Sequence, residues 1–271
     1  MDEPAVPAPR SGPVVTPDPW QSLRSLTPAR LALGRAGHAL PTRERLAHDA
    51  AATRARTAVS RPLDVDSLCD ELALLIAPQR PLVLASAAAD RASYLLRPDL
   101  GRRLAAESRC RLEQCAREQN GSDLALVVAD GLSTTAVARH AVPVVAAILA
   151  TRPTDWQLGP IVVATQARVA VGDEIGAVLR ARHVAVLIGE RPGMSCQDSL
   201  GIYVTRDPSP GRTDADRNCL SNIHPHGLAA SAAAARLWWV LGEARRIGAT
   251  GVTLKDRSTR GSRRLDGPID K

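Results

Sequence analysis

Phenylalanine is absent from the 271-residue sequence, and tyrosine occurs only twice, as Tyr94 and Tyr203. The aromatic platforms on which unpaired bases stack are therefore missing. Lysine is scarce as well, at Lys255 and Lys271 alone, although Lys and Arg together number 35 and the formal net charge is +7. The arginines are scattered singly and in pairs rather than gathered into a stripe that would neutralise a phosphate backbone, so no nucleic-acid partner is expected. With Lys255 the only lysine away from the extreme terminus, a Schiff-base mechanism is disfavoured. No G-x-G-x-x-G follows a strand and no G-x-x-x-x-G-K-[ST] occurs, which removes a standard dinucleotide site and a P-loop. The longest apolar run, Ala141–Ala150, contains Pro143 and is about half of the roughly twenty residues that span a bilayer, so no membrane association is expected. The start of the chain has neither the basic opening nor the apolar core of a signal peptide. Five cysteines, Cys69, Cys110, Cys115, Cys196 and Cys219, form no C-x-x-C pair, which suits a reducing cytoplasmic compartment.

Residues 1–24 are rich in proline, lack apolar periodicity and read as a disordered tail, while 257–271 read as a charged tail that frays. Between 25 and 77 the text is helical. One short helix is expected with Thr27 as its cap, Pro28 at its first position and Gly34 and Gly37 at its close. A second starts at Thr42 with Glu44 in its first turn, where the helix dipole favours a carboxylate, and a third covers 65–76 with Leu68, Leu72 and Leu75 on one face. Together they predict a small helical N-terminal subdomain.

From 78 to 256 short apolar runs alternate with helical text. Strands are expected at 82–85, 124–129, 161–164, 184–188, 202–205 and 252–254. Helices are expected to end near Arg117, to follow Ser133, to start at Gly172 and to cover 229–247, and the polar stretch 214–226 reads as a loop. This alternation predicts an α/β fold with a doubly wound, mostly parallel sheet carrying helices on both faces.

Ligands of such sheets bind beyond the carboxyl ends of the strands, where the loops diverge. The run 184–188 ends on Gly189-Glu190-Arg191-Pro192-Gly193, so Glu190 either pairs with Arg191 or faces a ligand, and its place favours the ligand. Asp130-Gly131-Leu132-Ser133 lies at a strand-to-helix turn and reads as an N-cap beside a tight turn or as a ligand-facing turn; it lacks the G-x-S-x-G of a nucleophile elbow. Cys219, His224 and His226, with Asp214 and Asp216 upstream, match no zinc spacing, so no metal site is expected. The segment Arg217-Asn218-Cys219-Leu220-Ser221-Asn222-Ile223 is dense in amide and hydroxyl groups, able either to bond a large neutral ligand or to satisfy one another. Trp238 and Trp239 point about 100° apart on a helix, one into the core and the other free to meet a partner chain.

Five stretches together resemble the small subunit of ethanolamine ammonia-lyase, over about 25–251 and in the family's order. They are 26–30 with 33–37 (LTPAR and LGRAG), 97–104 (RPDLGRRL), 128–133 (VADGLS), 188–193 (IGERPG) and 216–223 (DRNCLSNI). The resemblance implies an adenosylcobalamin-dependent enzyme of large and small subunits that converts ethanolamine to acetaldehyde and ammonia by radical chemistry. It implies a Rossmann-like small subunit that covers the cofactor, with the catalytic residues on a barrel-shaped large subunit and none on this chain. Carried onto this sequence, the cobalamin contacts are Val169, Glu190 and Cys219, of which Cys219 is not expected to ligate cobalt. Some relatives work inside an ethanolamine-utilisation bacterial microcompartment, which leaves that location open beside the free cytoplasm. The residues agree with this division of labour: a (β/α)₈ barrel takes about 250 residues, more than this chain has to spare. There is also no D-x-H-x-x-G, by which some cobalamin proteins replace the cofactor's base with a histidine. Two other readings compete with it, a free-standing hydrolase using Ser133, Asp130 and a histidine, and a scaffold subunit without cofactor contact.

Overall fold

The computed structural model describes residues 14–27 and 29–258, so most of both expected tails and the Pro28 helix start lie outside it. The chain forms two compact units, 1–55 and 56–271.

In the first unit, Thr16 and Arg35 form an antiparallel bridge and Gln21–Ser25 makes a 3-10 turn. The helix expected after Thr27 does not form. Thr27 Oγ1 accepts the Ala29 N–H at 3.1 Å in a local turn, and Ala32 and Gly34 take left-handed backbone angles that a right-handed helix excludes. Helix α1 (Thr42–Ser60) begins where expected, with Glu44 in its first turn 3.3 Å from Arg24, and runs on across the boundary.

The second unit opens with α2 (Val65–Ile76), whose cap Asp64 accepts the Ser67 N–H at 3.1 Å. Its Leu68, Cys69 and Leu72 are buried in the main core, and Leu75 sits at the edge of that face. There follow β1 (Leu82–Ala85), α3 (Arg91–Leu96), α4 (Ala106–Arg117), β2 (Ser122–Ala129), α5 (Thr134–Ala150), β3 (Leu158–Thr165), α6 (Val171–Val178), β4 (Ala181–Gly189), β5 (Leu200–Arg206), β6 (Arg217–Ile223) and α7 (Ala230–Ile247). The six strands form one sheet in the order β1-β3-β2-β4-β5-β6. The first four are parallel, and β5 runs antiparallel between β4 and β6.

Two expectations are corrected. Residues 217–223 form the edge strand β6 rather than a loop, and Gly251–Thr253 is a 3-10 turn rather than a strand. The turn is held by Asn218, whose side-chain amide donates to the Gly251 and Leu254 carbonyls and accepts the Gly251 N–H, so those backbone groups are bonded outside any ladder.

Side chains alternate across the parallel strands. Along β2, Leu124, Leu126 and Val128 point to one side, where α2, α5 and α7 cover them; Ala125, Val127 and Ala129 point to the other, under α4 and α6. Burying one such aliphatic side chain contributes about 1.5–3 kcal/mol, and near-continuous apolar strands follow from burial on both faces. On β5 and β6 the first side is covered throughout and the reverse side only in part, where Thr205 and Arg217 are buried and Tyr203 is half-buried. Leu200, Ile202, Val204, Leu220 and Ile223 are buried on the first side, while Cys219 and Ser221 on the reverse side are exposed. Trp238 is buried on α7 with Nε1 donating to the Ile148 carbonyl at 3.1 Å, and Trp239 is half-buried against the same core. Among the described residues no helix is long and apolar enough to cross a membrane.

Candidate functional site

The carboxyl ends of the parallel strands are tied to one another through Asp130. This buried carboxylate accepts the Gln166 N–H at 2.8 Å and the Ala167 N–H at 3.0 Å, which pins the loop between β3 and α6. Burial pushes its carboxyl up, against those two N–H bonds and the Arg91 guanidinium 3.7 Å away. Arg91 in turn donates to the Gly131 carbonyl at 2.7 Å and the Leu132 carbonyl at 3.1 Å. Ser133 is fully buried; its hydroxyl accepts the Ala136 N–H at 3.1 Å as the α5 cap and donates to the Gln197 carbonyl at 2.8 Å. The Asp130–Ser133 turn is thus occupied in holding loops, not in facing a ligand. A hydrolytic Ser133 is poorly served here, because the hydroxyl has no open approach and its proton is committed to a backbone carbonyl.

The same loop carries Val169. Arg168 before it donates its N–H to the Gly101 carbonyl at 2.7 Å and lays its guanidinium 4.2 Å from the centre of the Tyr94 ring. Val169 is half-buried against the second core cluster, as is Tyr203 on β5. The first turn of α6 presses on β4 so closely that a Cβ on Gly172 would lie 2.2 Å from a Val186 methyl. Val186 pairs with Tyr203, and Tyr203 with Cys219, which sets Val169, Tyr203 and Cys219 on the same side of the sheet.

Glu190 leaves β4 on that side too, two residues beyond the buried Ile188. Its N–H donates to the Ser199 carbonyl at 2.9 Å. Its Oε2 accepts the Ser199 hydroxyl in a short bond and the Asn222 N–H at 3.3 Å, while Oε1 lies 2.8 Å from the point where a side chain on Gly201 would begin. Among the described residues no ion pair joins it to Arg191. The carboxylate is therefore held by neutral donors on one oxygen, and the other retains acceptor capacity above the glycine.

Cys219 is exposed at its surface, yet desolvation raises its thiol above the usual range; the Tyr203 hydroxyl acts the other way, and the charge of Glu190 adds to the rise. Burial likewise pushes the Tyr203 hydroxyl up, helped by Cys219 and Glu190. Both groups stay protonated at neutral pH, which suits a neutral contact and not a thiolate ligand. His224 Nε2 is 2.8 Å from Asn222 Oδ1, and the His224 and His226 rings stand 6.5 Å apart. Among the described residues no three His, Cys, Asp or Glu side chains gather into a metal-holding group.

The structure brings all three sequence-predicted residues to one side of the sheet at its carboxyl half. Tyr203, Gly201, Ser199 and the backbone of Asn222 join them unpredicted. The signal for Tyr203 was its scarcity, as one of only two tyrosines, together with its alternate position in an apolar strand. The result is one patch of half-buried Val169 and Tyr203 and exposed Cys219 beside a carboxylate whose Oε1 is left to accept a bond.

Comparison with known proteins accounts for nearly the whole chain. The family model for ethanolamine ammonia-lyase light chain matches residues 17–255. An ethanolamine ammonia-lyase small subunit from Ralstonia nicotianae is 52% identical over 244 residues, covering 89% of this chain and 90% of the relative. One from Azotobacter vinelandii is 51% identical over 254 residues, covering 93% of each, and one from Pseudomonas aeruginosa is 50% identical over 246 residues, covering 89% and 88%. With a family match over most of its length and relatives at half identity, the chain belongs to the ethanolamine ammonia-lyase light-chain, or small-subunit, family of lyases.

Proposed function

We propose that this chain is the cofactor-covering small subunit of an adenosylcobalamin-dependent ethanolamine ammonia-lyase, which converts ethanolamine to acetaldehyde and ammonia. In this reading 78–256 is a Rossmann-like cobalamin-binding domain, 25–77 its helical N-terminal piece, and a large subunit closes the site from the far side and supplies the catalytic residues. The observation that carries the reading is the exposed stretch of β6 at Cys219 and Ser221 beside Glu190, which keeps Oε1 available over Gly201. A corrin is broad, largely apolar and fringed by neutral carboxamides, and the residues present fit it: one acceptor, two protonated polar groups and an aliphatic edge.

Bound adenosylcobalamin supplies a cobalt–carbon bond whose homolysis starts the radical reaction; the protein orients it and keeps water away. Glu190 accepts N–H bonds from the corrin carboxamides. Its second oxygen is already fixed by Ser199 and Asn222, so little side-chain freedom is lost on binding. Val169 packs on the ring edge, and Cys219 offers a neutral thiol surface rather than a competing ligand for cobalt.

The test is acetaldehyde release from ethanolamine with adenosylcobalamin, using this chain, the large subunit and their mixture. Activity in the mixture alone is expected; full activity and cofactor retention by the large subunit alone would overturn the reading. In the assembled enzyme Glu190→Ala is expected to weaken adenosylcobalamin binding by about tenfold, the scale of one hydrogen bond to a charged group. Unchanged affinity would remove Glu190 from that role.

A further inference from the structure

Beside the exposed stretch of β6, on the same side of the sheet, lies a buried ion pair that the cofactor contacts do not use. Arg217 and Asp173 are 7% and 1% exposed, and a guanidinium nitrogen, Nη2, donates to Asp173 Oδ2 in a very short bond. The same nitrogen reaches the Arg212 carbonyl at 3.0 Å, and Nη1 reaches Asp214 at 2.9 Å. Arg217 stands opposite the buried Thr205 on β5, which helps hold the Asp173 carboxyl toward its charged form. One buried cluster therefore joins the first turn of α6, strand β5 and strand β6.

The position of the pair gives it a meaning beyond cohesion. Asp173 follows Val169 by four residues, through the start of α6. Arg217 precedes Cys219 by two residues on β6, so both side chains project from the same side of the strand. The pair thus bolts together the two segments that carry Val169 and Cys219. Stability alone is weak ground for such a pair, since taking both charges from water costs about what their attraction returns, and well-packed apolar residues do as well. A planar guanidinium differs from an apolar contact in being directional: it fixes one register between its partners.

We propose that the Arg217–Asp173 pair is a positioning clamp for the cofactor face, setting the placement of the Val169 loop against the Cys219 strand so that both meet the corrin edge without rearrangement. The inference rests on the cobalamin-covering reading above. Its effect is to pre-organise the surface, which tightens binding by removing an ordering cost and not by adding a contact.

The test uses the assembled two-subunit enzyme and adenosylcobalamin, with affinity measured by equilibrium dialysis and melting temperature measured without cofactor. The double variant Asp173→Asn with Arg217→Met keeps side-chain volume near the original and leaves no buried charge uncompensated. It is expected to assemble and melt close to the parent while binding adenosylcobalamin about tenfold more weakly. Arg217→Lys, which restores the charge without the planar fork, is expected to recover part of that affinity. Parental affinity in the double variant, or a loss of affinity that merely follows a lower melting temperature, would overturn the clamp. Should the double variant fail to assemble, Arg217→Lys decides: weaker binding at an unchanged melting temperature supports the clamp and parental binding overturns it. A parent complex that binds no adenosylcobalamin would instead defeat the cobalamin-covering reading itself, which separates the two failures.

Discussion

The parallel and antiparallel halves of the sheet have the same layer of helices on one side and differ on the other. Strands β2 to β4 are covered on both sides, while the reverse side of β5 and β6 is covered in part, by the buried Thr205 and Arg217, and leaves Cys219 and Ser221 exposed. A doubly covered strand can only stabilise. A strand covered in part on one side has a free surface, and here Glu190 rises at the boundary between the two halves. Under the proposed function the doubly covered strands serve cohesion and the exposed stretch of β6 beside Glu190 serves recognition, and substitutions in each should separate the two properties.

The largest effect is expected from Leu126→Ala on β2, where Leu126 is 1% exposed in the main core. Denaturant unfolding should show a loss of about 2–5 kcal/mol, as for other fully buried leucines, with cofactor affinity of the folded complex unchanged. A loss under 1 kcal/mol, or a change in affinity at full folding, would break the comparison.

A smaller, pH-dependent effect is expected from His183 near the start of β4. Burial holds its imidazole below the usual 6.5, with the bond from Nδ1–H to the Asp123 carbonyl opposing that shift. Above pH 6.5 both folded and unfolded states are neutral there and the contribution is complete. As pH falls below 6.5 the unfolded chain takes up a proton that the folded chain refuses, so stability is lost. The melting temperature of the parent should fall more steeply below pH 6.5 than that of His183→Gln; parallel curves would show that His183 is not buried in its neutral form.

Least disturbance is expected from Cys219→Ser on the exposed stretch of β6. Its unfolding free energy should stay within about 0.5 kcal/mol of the parent, because the position is exposed. A large destabilisation would mean that the β6 surface contributes to cohesion after all.

The same contrast explains what the sequence disclosed. Strands of the parallel half announce themselves: LVLA at 82–85 and LALVVA at 124–129 are continuous apolar runs, and both fall inside strands. Strand β6 hides because RNCLSNI buries only Arg217, Leu220 and Ile223, and half-covered edge strands carry the polar residues that also mark loops. The short text around Thr27 misled in the opposite direction, since an N-cap residue is equally at home in a local turn and a helix this short has little stability of its own. Glu190 was legible from its place after a buried strand. Its partners Ser199 and Asn222 were not, because they reach it through a hairpin and an edge strand whose register no local pattern reveals.

The tryptophans add a practical consequence. Trp156 and Trp238 stand 5.5 Å apart at a 66° angle, Arg245 lies 3.8 Å over Trp156, and His183 is 5.3 Å from it. With Trp239 half-buried on the same core, three of the four indoles gather on the side of the sheet away from the exposed stretch of β6. Intrinsic fluorescence is therefore an optical gauge of the side of the whole sheet covered by α2, α5 and α7: its emission shifts when that packing melts or when the adjacent imidazole takes up a proton, and substitutions confined to the other side leave it steady.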